Sequence, residues 1–177
     1  MRKYGILSST IFISIILAGL YGIIHDQITY TISPEYFTKF KYQQFGFEPA
    51  WFGGHRQTVI IIGFLATWWT GIIIGIGLGS TGLIFNDHKK MSRAIKKAIR
   101  LLFCITLLFG FIGFFYGKFY LIKTGVNWWL PNNLIDKNNF IIVGSIHNFS
   151  YLGGLIGLLI AIAYLIRLNI KMKLEAE

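Results

Sequence analysis

The sequence has little of what covers the surface of a soluble protein. Charged residues make up 14% of the 177-residue chain, against roughly 25% in soluble domains. Only 7 residues are acidic and only 3 are proline, and Cys104 is the single cysteine. A lone cysteine excludes an intrachain disulfide. These shortages exclude a soluble globular domain and a disulfide-stapled scaffold, and the abundance of large apolar residues excludes a disordered chain.

Apolar residues are abundant and form long runs. They make up 54% of the chain, with 17% aromatic residues and a mean hydropathy of +0.59. A membrane-spanning helix needs about 20 predominantly apolar residues, and four stretches qualify: 5–24, 59–85, 101–122 and 140–166. The short connections between the later runs favour neighbouring, antiparallel helices. The sequence therefore predicts an all-α, polytopic transmembrane four-helix bundle of up-down-up-down topology, formed as a single domain over residues 1–177.

The first apolar run is a retained anchor in this interpretation. Its length of about 20 residues exceeds the ~7–15 of the apolar region in a secretory signal. No small residues suited to cleavage follow it, because Tyr21, Ile23, Ile24 and His25 lie at its end.

Basic residues are distributed unevenly between the two sides of the membrane. Of the 17 basic residues, eleven fall on the side that holds the N-terminus, and six fall on the other. Because positive charge is enriched in short cytoplasmic segments, we expect both termini to be cytoplasmic, in a bacterial inner membrane. The eleven are Arg2, Lys3, Lys89, Lys90, Arg93, Lys96, Lys97, Arg100, Arg167, Lys171 and Lys173, and the six are Lys39, Lys41, Arg56, Lys118, Lys123 and Lys137.

The basic run 88–100 could suggest a nucleic-acid partner by charge alone. It lies between two predicted spans, however, where basic residues meet anionic lipid head groups. We therefore expect the lipid bilayer, and no nucleic acid, as its partner.

Small residues recur at helical spacing in every predicted span. Such residues allow close helix packing in membranes, so we expect them to mark contact faces within the bundle or with protein partners, including a second copy of the chain. The four sets are Ser14, Ala18, Gly22 and His25; Gly71, Gly75 and Gly79; Gly110, Gly113 and Gly117; and Gly144, His147, Tyr151 and Gly154.

Residues 25–56 form the one sizeable segment predicted outside the membrane, on its extracytoplasmic side. Ser33, Pro34 and Glu35 have the pattern of a helix start, with a capping serine, a proline at the first helical position and an acid in the first turn. The predicted helix runs to about Phe45 and lies in the membrane interface or caps the bundle.

This segment contains His25-Asp26-Gln27 and Ser33-Pro34-Glu35-Tyr36-Phe37. Together with residues 145–154, it resembles a group of uncharacterised bacterial four-span membrane proteins, which have a similar His-Asp-Gln…Ser-Pro-Glu-Tyr-Phe stretch. The resemblance implies the same architecture. It implies no activity.

Polar residues gather at the outer half of the predicted bundle. His25 and His55 lie at the outer ends of the first two spans, and His147 lies seven residues into the last one. A titratable side chain at that depth usually faces the interior with a partner. The predicted polar cluster comprises His25, Asp26, Glu35, His55, His147, Asn148 and Tyr151.

Two roles for this cluster remain open. His147 could only bond a neighbouring helix, which fits a non-catalytic subunit or an assembly or scaffold component. Alternatively, His25, His55, His147 and Glu35 could bind a transition metal, since imidazole and carboxylate suit such ions, or could form a small-ligand pocket. No two of these candidate ligands are spaced as a pair on one predicted helix. As an occupant of the cluster, haem is less favoured than a metal ion. No nucleophile or phosphate-binding motif occurs, so whether the protein is an enzyme stays open.

Overall fold

The computed structural model describes residues 2–175, and within them the chain is all-helical. Four helices are long and apolar enough to cross a membrane, which confirms the predicted four-span bundle with a short additional helix. The helices are α1 (Arg2–Ile32), α2 (34–45), α3 (His55–Gly82), α4 (His88–Thr124) and α5 (Lys137–Leu174). A single 3₁₀ turn, Pro49–Phe52, precedes α3.

The helices extend beyond the apolar runs, because polar residues continue each helix outside the hydrocarbon layer. α1, predicted to end at residue 24, runs to Ile32 and stops where Ser33 adopts an extended conformation before Pro34, as the residue before a proline prefers. α4 begins at His88 rather than at residue 101, and the Asp87 carboxylate accepts a hydrogen bond from the Lys90 amide (2.8 Å) at this N-cap. The segment that connects α1 to α3 therefore begins at Ser33.

Helices α1 and α3 form one tightly packed antiparallel pair. A Cβ added at Gly63 would lie 2.5 Å from the Gly22 carbonyl oxygen, so the two backbones touch. The Thr67 hydroxyl also donates a hydrogen bond to the Ala18 carbonyl (2.8 Å). The predicted face with Gly71, Gly75 and Gly79 packs on α1 as well, so α1 of the same chain occupies the space beside these glycines.

Helices α4 and α5 form the second antiparallel pair. A Cβ at Gly113 would lie 2.6 Å from Phe149 Cβ, and the Ser145 hydroxyl donates to the Gly113 carbonyl (2.7 Å). On α5 the contact residue is Gly153, where an added Cβ would lie 2.5 Å from Phe109 Cβ. Gly154, which belongs to the predicted stripe, has open space beside it. That stripe therefore faces away from α4.

The two pairs meet mainly at their ends. The end near the cap helix, called the cap end, has a buried core that includes Phe37, Val59, Ile62, Phe140 and Val143. The opposite end, called the basic end, has a core that includes Leu78, Phe85, Met91, Ala161 and Leu165. A cavity, the central cavity, lies between these two cores and between the pairs.

The cap helix α2 closes the cap end. The Ser33 hydroxyl accepts a hydrogen bond from the Tyr36 amide (3.3 Å), and Pro34 occupies the first turn. The helix has one π turn at Phe37–Lys41 and ends at Gly46, which has a positive φ of 66°. This confirms the predicted start and end. Tyr36 and Phe37 are buried against the bundle, so α2 acts as a lid on its outer end.

Candidate metal centre

Three titratable side chains meet just below the cap helix. One carboxylate oxygen of Asp26, Oδ1, lies 3.0 Å from His25 Nδ1 and 3.2 Å from His147 Nε2. His25 and Asp26 are on α1, and His147 is on α5, 121 residues later. The cluster therefore links the two helix pairs.

The cluster is buried, and an aromatic ring packs against it. The Tyr36 ring stacks on His147 with 4.8 Å between centroids, and the His25 and His147 rings meet edge to face at 4.6 Å. The side chains of His25, Asp26 and His147 are only 12%, 4% and 6% exposed. Burying a carboxylate so completely is costly unless charge and hydrogen bonds compensate.

The tautomer of His147 follows from its surroundings. Its Nδ1 lies 3.0 Å from the Val143 carbonyl oxygen, which can only accept, so Nδ1 carries a proton. In a neutral imidazole, Nε2 then carries a lone pair and is an acceptor, and it faces Asp26 Oδ1. Two acceptors facing each other at 3.2 Å require a proton or a metal ion between them.

Asp26 has an acceptor in excess. Its second oxygen, Oδ2, is buried and has no hydrogen-bond partner among the described residues. His25 is oriented from its other side, where Nε2 lies 3.2 Å from the Ser150 hydroxyl. A buried acceptor without a partner costs about 1–3 kcal/mol, so this oxygen, beside two imidazoles, offers a position that a cation could fill.

The donor set suits a divalent transition metal. One ligand atom from each of His25, Asp26 and His147 can be chosen so that all lie within 4.8 Å of one another. Two histidines and one carboxylate are ligands that catalytic Zn²⁺ and non-haem Fe²⁺ sites use, with further positions left open. The bond from His147 Nδ1 to a backbone carbonyl resembles the outer interactions that orient metal-binding histidines.

The three residues line the cap end of the central cavity. This cavity has a volume of about 650 Å³ and is bordered by all four spanning helices. Its remaining walls are mostly apolar, with Tyr21, Thr67 and Thr106 among the polar exceptions. A cavity of this size falls in the range of small-molecule sites, ~300–1,000 Å³, whose typical form is an apolar pocket with a few convergent polar groups.

A buried lysine stands above the cluster. Lys41, on the cap helix, is only 6% exposed, and its ammonium lies 5.8 and 5.9 Å from the Phe40 and Phe45 ring centroids. Burial lowers the pKa of Lys41, while the charge of Asp26 raises it. The burial of Lys41 could not be predicted from the sequence, because it depends on how the cap helix docks.

Two predicted ligands, Glu35 and His55, lie outside the cluster. Glu35 accepts hydrogen bonds from the amides of Ile135 (3.0 Å) and Asp136 (2.7 Å) and forms an ion pair with Lys39 (2.5 Å). The Ile135 amide in particular holds the pKa of Glu35 down at about 2. The carboxylate is thus used to dock the segment before α5 onto the cap helix.

His55 is used at the start of α3. Its Nδ1 lies 3.2 Å from the Tyr42 hydroxyl, and the two rings stack with 5.8 Å between centroids. The metal-competent group thus differs from the predicted set by gaining Asp26 and losing Glu35 and His55. The physical reason is that α1 continues past His25, so Asp26 lies on the helix with its side chain buried in the bundle.

The last two predicted residues divide between surface and cavity. Asn148 is exposed on α5, one position off the face that carries His147. Tyr151 lines the central cavity, and its hydroxyl donates to the Ala66 carbonyl (3.3 Å). Ser150, which the sequence did not single out, contributes more directly through His25. Its signal was its position three residues after His147, on a similar helical face.

The chain matches no protein-family model, no curated protein and no solved structure.

Proposed function

We propose that this protein is an integral membrane protein that binds one divalent transition metal ion through His25, Asp26 and His147. The ion belongs to the Zn²⁺ or Fe²⁺ class, because the donors are two imidazole nitrogens and carboxylate oxygen, without thiolate. The observation that carries the proposal is the pair of facing acceptors, His147 Nε2 and Asp26 Oδ1, beside the orphaned Asp26 Oδ2.

The setting of the site favours a functional ion over a structural one. Structural zinc sites are closed by four protein ligands, whereas catalytic sites have three and keep a position open. Here three ligands border an apolar cavity. The arrangement suits a metal-dependent reaction on an apolar ligand, or the carriage of such a ligand.

A second candidate is a non-catalytic subunit or scaffold, in which the cluster is only a bridge between helix pairs. Its supporting observation is that His147 and Asp26 join α5 to α1. In that case a proton replaces the metal ion and His147 is an imidazolium. The glycine faces add no support for partner binding, because other helices of the same chain pack against Gly22, Gly71 and Gly113.

Elemental analysis of the purified protein separates these candidates. The protein, purified in mild detergent and reconstituted separately with Zn²⁺ and with Fe²⁺ without oxygen, should retain one of the two stoichiometrically. His147→Gln and Asp26→Asn should lose it, since an amide is a poor substitute for imidazole or carboxylate.

Two histidines provide matched controls. His55→Gln and His88→Gln should keep the metal, because His55 bonds Tyr42 and His88 lies at the basic end. Wild-type protein without stoichiometric metal after reconstitution would refute the metal site and leave the scaffold. Equal losses in His55→Gln and His147→Gln would also refute it.

The location proposed for the protein is a bacterial inner membrane, with both termini in the cytoplasm. The support is the excess of basic residues near α4 and the ends of the chain. Cysteines at Thr38 and at Ser92 test the orientation. Thr38→Cys should react with an impermeant thiol reagent added outside intact cells and Ser92→Cys should not, both in a Cys104→Ser background. The reverse pattern would invert the orientation.

A further inference from the structure

A second depression lies at the basic end, between α1 and α4. This basic groove has a volume of about 690 Å³. Its rim includes Arg2, Lys96 and Arg100, and the hydroxyl residues Ser9 and Ser92 stand among them. Among residues 2–175, no acidic side chain lines the groove, so its lining is purely basic in charge.

The basic groove also has apolar lining. Ile6, Ile13 and Leu17 line it from α1. Leu17, Ile99 and Arg100 line the basic groove and the central cavity alike. The two spaces therefore adjoin at these residues, and a ligand with a charged head and an apolar tail could span both of them.

The length of the central cavity suits one hydrocarbon chain. On α1 its lining runs from Ser14 to Asp26, which corresponds to about 18 Å at a helical rise of ~1.5 Å per residue. One leaflet of a bilayer has a hydrocarbon thickness of about 15 Å, half of the ~30 Å core. A lipid chain that starts at Arg100 can thus extend to the neighbourhood of His25.

We propose that the basic groove and the central cavity together bind one anionic phospholipid, with its phosphate at Lys96 and Arg100, one helical turn apart, and one acyl chain in the cavity. Two features carry the proposal: the basic residues of the groove, with no acidic lining residue in the described part of the chain, and the mostly apolar cavity that adjoins it. This site does not depend on a metal ion at His25, Asp26 and His147, although the distal part of the chain would lie near them.

Native mass spectrometry of the purified, delipidated protein tests the head-group contacts. Phosphatidylglycerol and phosphatidylcholine with identical chains are added separately at low ionic strength. The anionic lipid should bind more tightly. Because a basic residue near a membrane surface contributes about 1 kcal/mol to anionic-lipid binding, Lys96→Gln and Arg100→Gln should each weaken its binding about fivefold. They should weaken phosphatidylcholine binding less, because the choline charge offsets the phosphate charge.

The next residue provides the matched control. Lys97 is exposed on the same helix but does not line the basic groove, so Lys97→Gln should bind as the wild type does. Equal losses in the Lys96 and Lys97 variants would reduce the effect to diffuse surface charge and overturn the site. Glycerol phosphate at millimolar concentration should not displace bound phosphatidylglycerol. If it displaced the lipid as effectively as added phosphatidylglycerol does, the groove would be a free-phosphate site instead.

The acyl chain is tested at Gly154. This residue lines the cavity, and a Cβ added there would meet nothing within 4 Å, so Gly154→Leu fills space without displacing a helix. It should weaken phospholipid binding at least tenfold while the thermal unfolding temperature is retained. Leu159→Phe, on an exposed part of the same helix, is the control. Unchanged lipid binding in Gly154→Leu would overturn the placement of the chain.

Discussion

The helix pairs and the space between them are built on opposite principles. Within a pair, backbones touch: Gly22 meets Gly63, and Gly113 meets the Ser145 carbonyl. Between the pairs there is a cavity of about 650 Å³, with a buried carboxylate and two imidazoles at one end. Close packing stabilises a membrane bundle, whereas a cavity with buried charge destabilises it.

This difference locates stability and function in separate parts of the molecule. A bundle selected for stability alone would close the cavity with large apolar side chains and would have no ionisable cluster. The chain instead holds the cavity open by filling the two ends with apolar cores. The interior between the pairs is therefore the part to which we assign binding.

The largest effect is expected from breaking one member of the cluster. Removing one partner from a buried charge pair costs about 3–5 kcal/mol, because the remaining charge is uncompensated. His147→Leu should therefore lower the free energy of unfolding in detergent by about that amount. The double variant Asp26→Leu/His147→Leu should recover most of it, since both charges are gone.

The double variant also sharpens the assignment of function. It should unfold like the wild type in its metal-free form and bind no metal, which separates stability from metal binding. If His147→Leu were as stable as the wild type, the contact between Asp26 and His147 would not contribute as its geometry indicates.

A smaller effect is expected within a helix pair. A Cβ at Gly71 would lie 2.6 Å from Ile15 Cα, so Gly71→Ala must push α1 away from α3. Overpacking of this kind costs about 1–3 kcal/mol. Gly154→Ala, which faces the cavity, should cost nothing because its Cβ meets open space. Thermal unfolding of both variants in the same detergent tests the contrast, and equal behaviour would contradict it.

Much of the fold could be predicted because membrane constraints act locally. Apolar runs near 20 residues long, spaced glycines and the Ser33-Pro34 helix start each depend on neighbours in sequence. The helix ends could not be placed well, since hydropathy does not distinguish a helix that leaves the membrane from a loop. The continuation of α1 to Ile32 could therefore not be predicted.

The site was predictable only in part because it is assembled by distant contacts. His147 followed from its depth in an apolar span. Asp26 belongs to the predicted polar cluster but not to the predicted ligand set, because the sequence places it beyond the end of the first span. Glu35 and His55 are in that set because they lie on the same side of the membrane in the predicted topology. Their use in docking, by Ile135 and Tyr42 respectively, depends on tertiary structure that no local pattern contains.

The cap that closes the gap between the pairs gives a more modest effect. Ser33→Ala removes the acceptor for the Tyr36 amide, a loss worth about 1 kcal/mol at helix N-caps. The cap helix should become more susceptible to limited proteolysis, while unfolding of the spans stays the same. Ser33→Asn, which retains a capping oxygen, is the matched control. If Ser33→Ala and Ser33→Asn were cleaved at equal rates, the capping role would be contradicted.

The smallest effect concerns how the segment before α5 is held on the cap helix, and it depends on pH. The pKa of Glu35 is about 2 in the folded protein, below its ordinary value of 4.5, chiefly because the Ile135 amide donates to the carboxylate. A lowered folded pKa means that this docking contributes fully above about pH 4.5 and is lost as the pH falls towards 2. Hydrogen exchange at the Ile135 amide, corrected for its intrinsic pH dependence, should lose protection across that window. Glu35→Gln should abolish the pH dependence, whereas Glu48→Gln, an exposed neighbour, should keep it. Protection at Ile135 that stayed constant from pH 6 to pH 2 in the wild type would show that Glu35 does not hold the segment.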